Sequence, residues 1–163
     1  MPNESVLSNL EFGTWYLALK PVMSKKSPVT NVFLELHVPD FDLAKEFYGI
    51  LWFEMVWEEK VNGGYLVMRR GDSILNFYGW HATRPHSYFW VWPENTKRGY
   101  GVEITLLVDD IEGYYVSVRD QVQVVAPLKT KPWGRKDFRI EDPFGYYVRV
   151  SEIYDWINKN DKC

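Results

Sequence analysis

LHVPDFD at residues 36–42 and LLVDDIE at 106–112 are two versions of one local design. Leu36 matches Leu106, Val38 matches Val108 and Asp40 matches Asp110. Each stretch closes a strand-like run and places an aspartate where it can cap a helix. A repeat of this kind, weak in identity but strong in element order, sets the architecture before any single motif does.

Working outward, residues 31–38 alternate enough to form a strand, which Pro39-Asp40 stops. Asp40 or Asp42 can then N-cap a helix over 43–50. Strands follow over 53–60, 65–70 and 73–80, divided by the turns Asn62-Gly63-Gly64 and Gly71-Asp72. The first module, 31–80, therefore reads β-α-β-β-β. The order returns with a strand over 101–108 and Asp109-Asp110 as cap. A helix over 111–119 follows, with Tyr114, Tyr115 and Val118 on one side. A short strand over 122–125 and strands over 136–141 and 146–152 then complete the second module, 101–152. Its last two strands turn at Asp142-Pro143-Phe144-Gly145. The linker 81–100 holds Pro85, Pro93 and an aromatic cluster from Tyr88 to Trp92, and reads equally as a ligand-facing loop or as packing on a partner module. Residues 1–28 read as an extension outside the 29–153 domain: an upstream start, an expression-derived segment or an arm. Residues 154–163 form a tail.

Composition narrows the function classes. A chain of 163 residues with 46% hydrophobic and 25% charged residues is an ordinary globular domain. Eight Trp, 11 Tyr and 9 Phe are more rings than such a core needs, so some belong to a cleft or an interface. A net charge of −3 without a basic stripe argues against nucleic acid and favours a cationic ligand. Cys163 is the one cysteine, which excludes a disulfide framework and cysteine metal sites and fits a reducing compartment. The first residues lack the basic start of a signal peptide, and the apolar run near residues 15–19 is too short for a bilayer. The expectation is a cytoplasmic protein with no membrane partner.

Paired βαβββ modules with a DPxG turn in the last strands resemble the vicinal oxygen chelate superfamily, which includes glyoxalase I, extradiol dioxygenases and fosfomycin-modifying enzymes. GGYLVMRRGDSILNF at 63–77 and Pro-Trp-Gly-Arg at 132–135, followed by Asp-Pro-Phe-Gly, resemble its bleomycin resistance branch more specifically. The resemblance covers about residues 29–153. It implies an α+β fold with a cupped mixed sheet and a homodimer with clefts at its interface. It also implies sequestration of bleomycin-type cationic glycopeptide antibiotics, with no bond made or broken and no cofactor.

The superfamily's enzymes hold a divalent metal at four positions. Seven residues before Asp40 and Asp110 stand Phe33 and Glu103, and the last-strand positions fall near Asn76 and on Arg149. Divalent ions want imidazole or carboxylate donors at about 2.0–2.2 Å. Phenylalanine supplies none, arginine repels a cation and asparagine is a poor third ligand. His37, His81 and His86 are scattered. The expectation is therefore no catalytic residues and no metal, with Glu103 and Arg149 paired in the interior between modules. The competing reading within the superfamily is a metal-dependent lyase, transferase or dioxygenase, or a binder of another planar molecule. No nucleophile elbow, P-loop or GxGxxG is present.

A sequestering protein needs stacking surface and charge set in advance. Trp133 matches the family's turn tryptophan, and Trp57 falls where the family has an aromatic, so the two could hold a planar group such as a bithiazole between them. The plainer alternative for Trp57 is that it covers the sheet. Glu58 and Glu59 either meet a positive tail or form a solvated hairpin. Tyr78 and Trp80 share one strand face, with Phe77 on the other. Gly134 would let a ligand approach the backbone, and Arg135 could orient the loop. Val56 stands where some members carry an acid.

Overall fold

A computed structural model of the chain describes residues 33–61, 64–79 and 98–154, all within one compact unit that spans Asn31–Cys163. Trp80, His81, His86, the Asn62-Gly63 turn, most of the aromatic linker, the N-terminal extension and nearly all of the tail lie outside the described residues.

The first module runs β1 (Leu34–Val38), α1 (Phe41–Ile50), β2 (Glu54–Glu59), β3 (Tyr65–Arg70) and β4 (Ser73–Gly79). The second runs β5 (Glu103–Val108), α2 (Ile111–Val118), β6 (Gln123–Thr130), β7 (Lys136–Glu141) and β8 (Tyr147–Glu152). Each module makes its own four-stranded mixed sheet, in the orders β1-β4-β3-β2 and β5-β8-β7-β6. The first and last strands of a module pair parallel and the rest pair antiparallel. The α+β fold of two tandem βαβββ modules is as expected, although the strands divide between two sheets.

The repeated aspartates do the capping. Asp40 Oδ1 accepts from the Asp42 and Leu43 N–H groups at 2.9 and 3.0 Å, and Asp110 Oδ1 accepts from Gly113 N–H at 2.9 Å. Of the two candidate acids, Asp40 is the cap and Asp42 lies in the first turn of α1. At the other end of α1, Trp52 N–H donates to Gly49 O and Phe53 N–H to Tyr48 O, both at 2.9 Å. This is a Schellman closure with Trp52, φ 67°, where glycine is usual.

Leu36, Val38, Leu66, Met68, Leu75 and Phe77 of the first sheet are buried, as are Ile104, Leu106, Val108, Phe138, Ile140, Val148 and Val150 of the second. They form one core cluster with the helix residues Tyr48, Ile111, Tyr114 and Val118. Polar bonds tie the modules together across it. Tyr48 hydroxyl donates to Asp142 Oδ2, and Tyr114 hydroxyl donates to Leu51 O, each at 3.0 Å. His37 N–H donates to Tyr146 hydroxyl at 3.0 Å. Helices and core occupy one face of each sheet; the other, called the open face below, carries partly exposed side chains such as His37, Tyr65, Tyr78, Arg139 and Arg149.

Candidate functional site

On the first sheet the registers align two rows across the open face. One is Glu35, Asn76, Val67 and Trp57; the other is His37, Tyr78, Tyr65 and Glu59. The position of Trp57 depends on a β-bulge. Met55 pairs with Met68 and Trp57 with Val67, so Val56 is an extra residue that shifts the rest of β2 by one. Without it, Trp57 would fall on the face of Leu66 and the core. With it, the indole stands 48% exposed beside Tyr65, ring centroids 6.1 Å apart. Tyr65 lies 6.5 Å from Tyr78, and Tyr78 lies 5.2 Å from the His37 imidazole. The four rings form a continuous aromatic strip.

Carboxylates border the strip. His37 Nε2 is 3.3 Å from Glu35 Oε1. Burial, aided by a hydrogen bond to Glu35, pushes the Tyr65 phenol up to about 12, so it stays a protonated donor at neutral pH. Glu59, exposed, shares the row of Tyr65. Glu58, which the sequence reading offers with Glu59 either to a positive tail or to a solvated hairpin, lies on the other face. The bulge that turns Trp57 outward turns Glu58 toward α1, where its side chain is 13% exposed and Lys45 Nζ lies 2.9 Å away. Lys60 Nζ is 3.5 Å from its other oxygen. Tyr78 reaches the open face and Phe77 is buried on the other, as alternation requires; Trp80 lies outside the described residues. Glu35 and Tyr65 were not singled out from sequence. The signal was there in the period-2 alternation of β1 and β3, which sets both opposite the buried leucines.

On the second module, Trp133 is 50% exposed on the turn between β6 and β7. Lys131 N–H donates to Arg135 O at 2.7 Å, and Gly134 N–H donates to Lys131 O at 2.9 Å. Gly134 sits at φ 86° with no heavy atom within 4 Å of the place a Cβ would take, so the turn needs glycine and its surface is open. Below the turn, Lys131 Nζ lies 2.8 Å from Asp137 Oδ1, and both side chains are buried. This ion pair pins the loop to β7 and presents the indole from a fixed base. Arg135 stacks over the Tyr154 ring at 4.6 Å. Among the described residues no ring contact joins Trp133 to Trp57, and each belongs to its own module.

The positions that carry metal ligands in the superfamily's enzymes do not fit a divalent ion. Phe33 offers no donor, and Asn76 is buried and shares a hydrogen bond with Tyr65. Arg149 Nε stands 3.3 Å from Glu103 Oε1 and would repel a cation there. The expected Glu103–Arg149 pair exists, yet not in the interior. The side chains are 37% and 22% exposed and lie on the open face of the second sheet. Among the described residues, no group of three or more His, Cys, Asp or Glu side chains is placed to hold a metal. A shallow groove lined by Asp40, Asp42, Glu58 and Lys60 lies near the start of α1, lined by none of the four rings.

Several solved structures share this fold. A protein of unknown function from Agrobacterium tumefaciens str. C58 superposes with a TM-score of 0.60 at 19% identity, covering 77% of this chain and 95% of that one. A bleomycin-binding protein complexed with bleomycin gives 0.54 at 21% identity, covering 77% and 100%. A lactoylglutathione lyase from Agrobacterium tumefaciens gives 0.52 at 19% identity, covering 76% and 94%. Identities this low speak for the fold alone, and no curated protein matches the sequence. The family model for the glyoxalase, bleomycin resistance protein and dioxygenase group matches residues 31–150, the two modules described above. The chain belongs to the Glyoxalase/Bleomycin resistance protein/Dioxygenase superfamily.

Proposed function

We propose that this chain binds and sequesters bleomycin-type cationic glycopeptide antibiotics without modifying them, and so confers resistance. The observation that carries the reading is the open aromatic strip on the first sheet, Trp57, Tyr65, Tyr78 and His37, bordered by Glu35 and Glu59. A planar heteroaromatic group gains roughly 0.5–1.5 kcal/mol per well-placed ring beyond simple burial. A cationic tail gains about 0.5–2 kcal/mol over an indole face, and the carboxylates favour the same charge. Trp133, held out on an open turn, supplies a second stacking surface. The bleomycin-binding relative shares the fold and supports the reading without deciding it.

Trp57 stands on the first sheet and Trp133 on a turn of the second module, and a homodimer would let the open face of one subunit meet the turn of its partner. Both indoles are half exposed, as unpaired halves of a cleft would be. We place the protein in the cytoplasm; no helix among the described residues is long and apolar enough to cross a membrane.

Titration with bleomycin is the test. Tryptophan emission should be quenched with a stoichiometry of about one drug per subunit, as a cleft shared across each interface requires. Trp133→Ala should weaken that quench strongly. Unchanged emission together with no heat in calorimetry would refute the drug assignment. Stoichiometric zinc, nickel, manganese or iron in protein purified without chelator would instead favour the superfamily's metal-dependent chemistry.

A further inference from the structure

We propose that Arg139 and Arg149, side by side on the open face of the second sheet, form a receptor for an oxyanion, a carboxylate or phosphate group carried by a ligand. The β7–β8 register places the two arginines directly opposite each other. Like charges in that relation destabilise a sheet, because the facing side chains start only about 5 Å apart. The Nε atom of each guanidinium is buried; among the described residues that of Arg139 has no hydrogen-bond partner, and that of Arg149 has the Glu103 carboxylate 3.3 Å away without a hydrogen bond. Buried donors are almost always satisfied, so an orphaned Arg139 Nε directly opposite a second guanidinium needs a reason.

The neighbouring acids do not supply it. Glu103 is 3.3 Å from Arg149, in a partly exposed pair that balances one of the two charges. Among the described residues Arg139 has the face of Tyr147, 5.9 Å from the ring centroid. Asp137, two residues along the same face, is committed to Lys131 at 2.8 Å. Glu141, two residues the other way, has a partner of its own. Among the described residues no acid is seen in an ion pair with Arg139, whose half-buried setting is one where an incoming anion gains most. Two guanidiniums offer planar forks matched to carboxylate and phosphate oxygens, a geometry that lysine could not provide. Thr105, opposite Arg149 on the β5 side and partly exposed, adds a hydroxyl at the margin.

The site is independent of the drug reading, since its test contains no drug. In the full-length chain labelled with nitrogen-15, the arginine Nε–Hε resonances are followed while sodium phosphate, or in a second arm sodium acetate, replaces chloride at constant ionic strength. Two of these signals should shift and saturate. Arg139→Gln should weaken the response at least about tenfold, the size expected for one charge-assisted pair of bonds. Glu103→Gln should tighten it severalfold by removing the competing carboxylate, an effect that a purely structural ion pair would not produce. Saturation by both anions supports a general oxyanion site, and saturation by phosphate alone supports a tetrahedral one. If neither anion moves the resonances, or Glu103→Gln leaves the midpoint unchanged, the proposal is wrong; that arm stands even if Arg139→Gln fails to fold.

Discussion

Removing one hydroxyl, in Tyr48→Phe, tests how the two modules are joined. Tyr48 of α1 is fully buried, and its hydroxyl donates to Asp142 Oδ2 in the turn before β8, 3.0 Å away. The other oxygen of Asp142 accepts from Phe144 and Tyr146 N–H at 2.9 and 2.7 Å. The substitution keeps the ring, so it opens almost no cavity, and it strips a buried carboxylate of one donor. A hydrogen bond to a charged group contributes about 1.5–3 kcal/mol net, so the loss should be about 2 kcal/mol. With a urea slope of roughly 1–3 kcal/mol per molar, the unfolding midpoint should fall by about 1 M. The pH dependence sharpens the test. Burial holds the Asp142 carboxyl above its ordinary range, so the folded chain takes up this proton at a higher pH than the unfolded chain does. Ionised Asp142 is thus a cost present above the folded value, and it disappears as pH falls into the ordinary carboxylate range. Losing the Tyr48 donor enlarges that cost. The gap between wild type and variant should be full at pH 7 and shrink as acid protonates Asp142, and Asp142→Asn should likewise reduce the effect of Tyr48→Phe. A difference below about 0.5 kcal/mol at pH 7, or one that stays constant with pH, would refute this account.

Three further outcomes follow from the geometry. Trp57→Ala should cost about 2 kcal/mol of bleomycin affinity, roughly thirtyfold by titration, while leaving the urea midpoint nearly unchanged because the indole is half exposed. At Trp52, φ 67°, both Trp52→Ala and Trp52→Gly lose the edge contact with Tyr114 and the Arg70 guanidinium, but only alanine keeps the left-handed strain. The glycine variant should therefore be the more stable by about 1 kcal/mol in denaturant melts, and the reverse order would count against strain at this cap. Gly99→Ala would bring a Cβ to 2.7 Å from Gly145 O and 2.8 Å from Tyr146 Cα at φ +80°, costing about 2–4 kcal/mol, whereas Gly134→Ala, with open space, should cost about 1 kcal/mol of thermal stability.

The reach of the sequence ended where one residue of register mattered. Helix starts, turn glycines and buried alternation depend on local chemistry, so Asp40, Asp110, Tyr65–Arg70 and Lys136–Glu141 fall where the sequence reading places them. Strand β6 runs to Thr130, past the expected stop at 125, because an edge strand tolerates Pro127 and absorbs two register shifts. The face of Trp57 depends on the bulge at Val56, and no propensity of Met-Val-Trp announces a bulge. That single insertion separates Trp57 from Glu58. The pairing of Arg139 with Arg149 likewise depends on the β7–β8 register, which only the folded sheet provides.

The repeat itself shows where the two halves are free to differ. The strand registers make Glu35 equivalent to Thr105 and Asn76 equivalent to Arg149, just as Leu36 is equivalent to Leu106. Leu36/Leu106 and Val38/Val108 keep their identity because both pairs fill the same kind of space in one core. The open-face positions do not: Glu35/Thr105, His37/Leu107 and Asn76/Arg149 differ in charge, size or both. These positions lie outside the hydrophobic core cluster, so the fold alone does not explain a row of rings on one face and two facing guanidiniums on the other. Two chemically different faces built on one duplicated scaffold make two separate demands on a ligand. The proposed cation with a planar group would meet the first face, and the proposed oxyanion would meet Arg139 and Arg149 on the second. The fluorescence titration and the arginine resonances therefore report on different recognition events, and each can fail without the other.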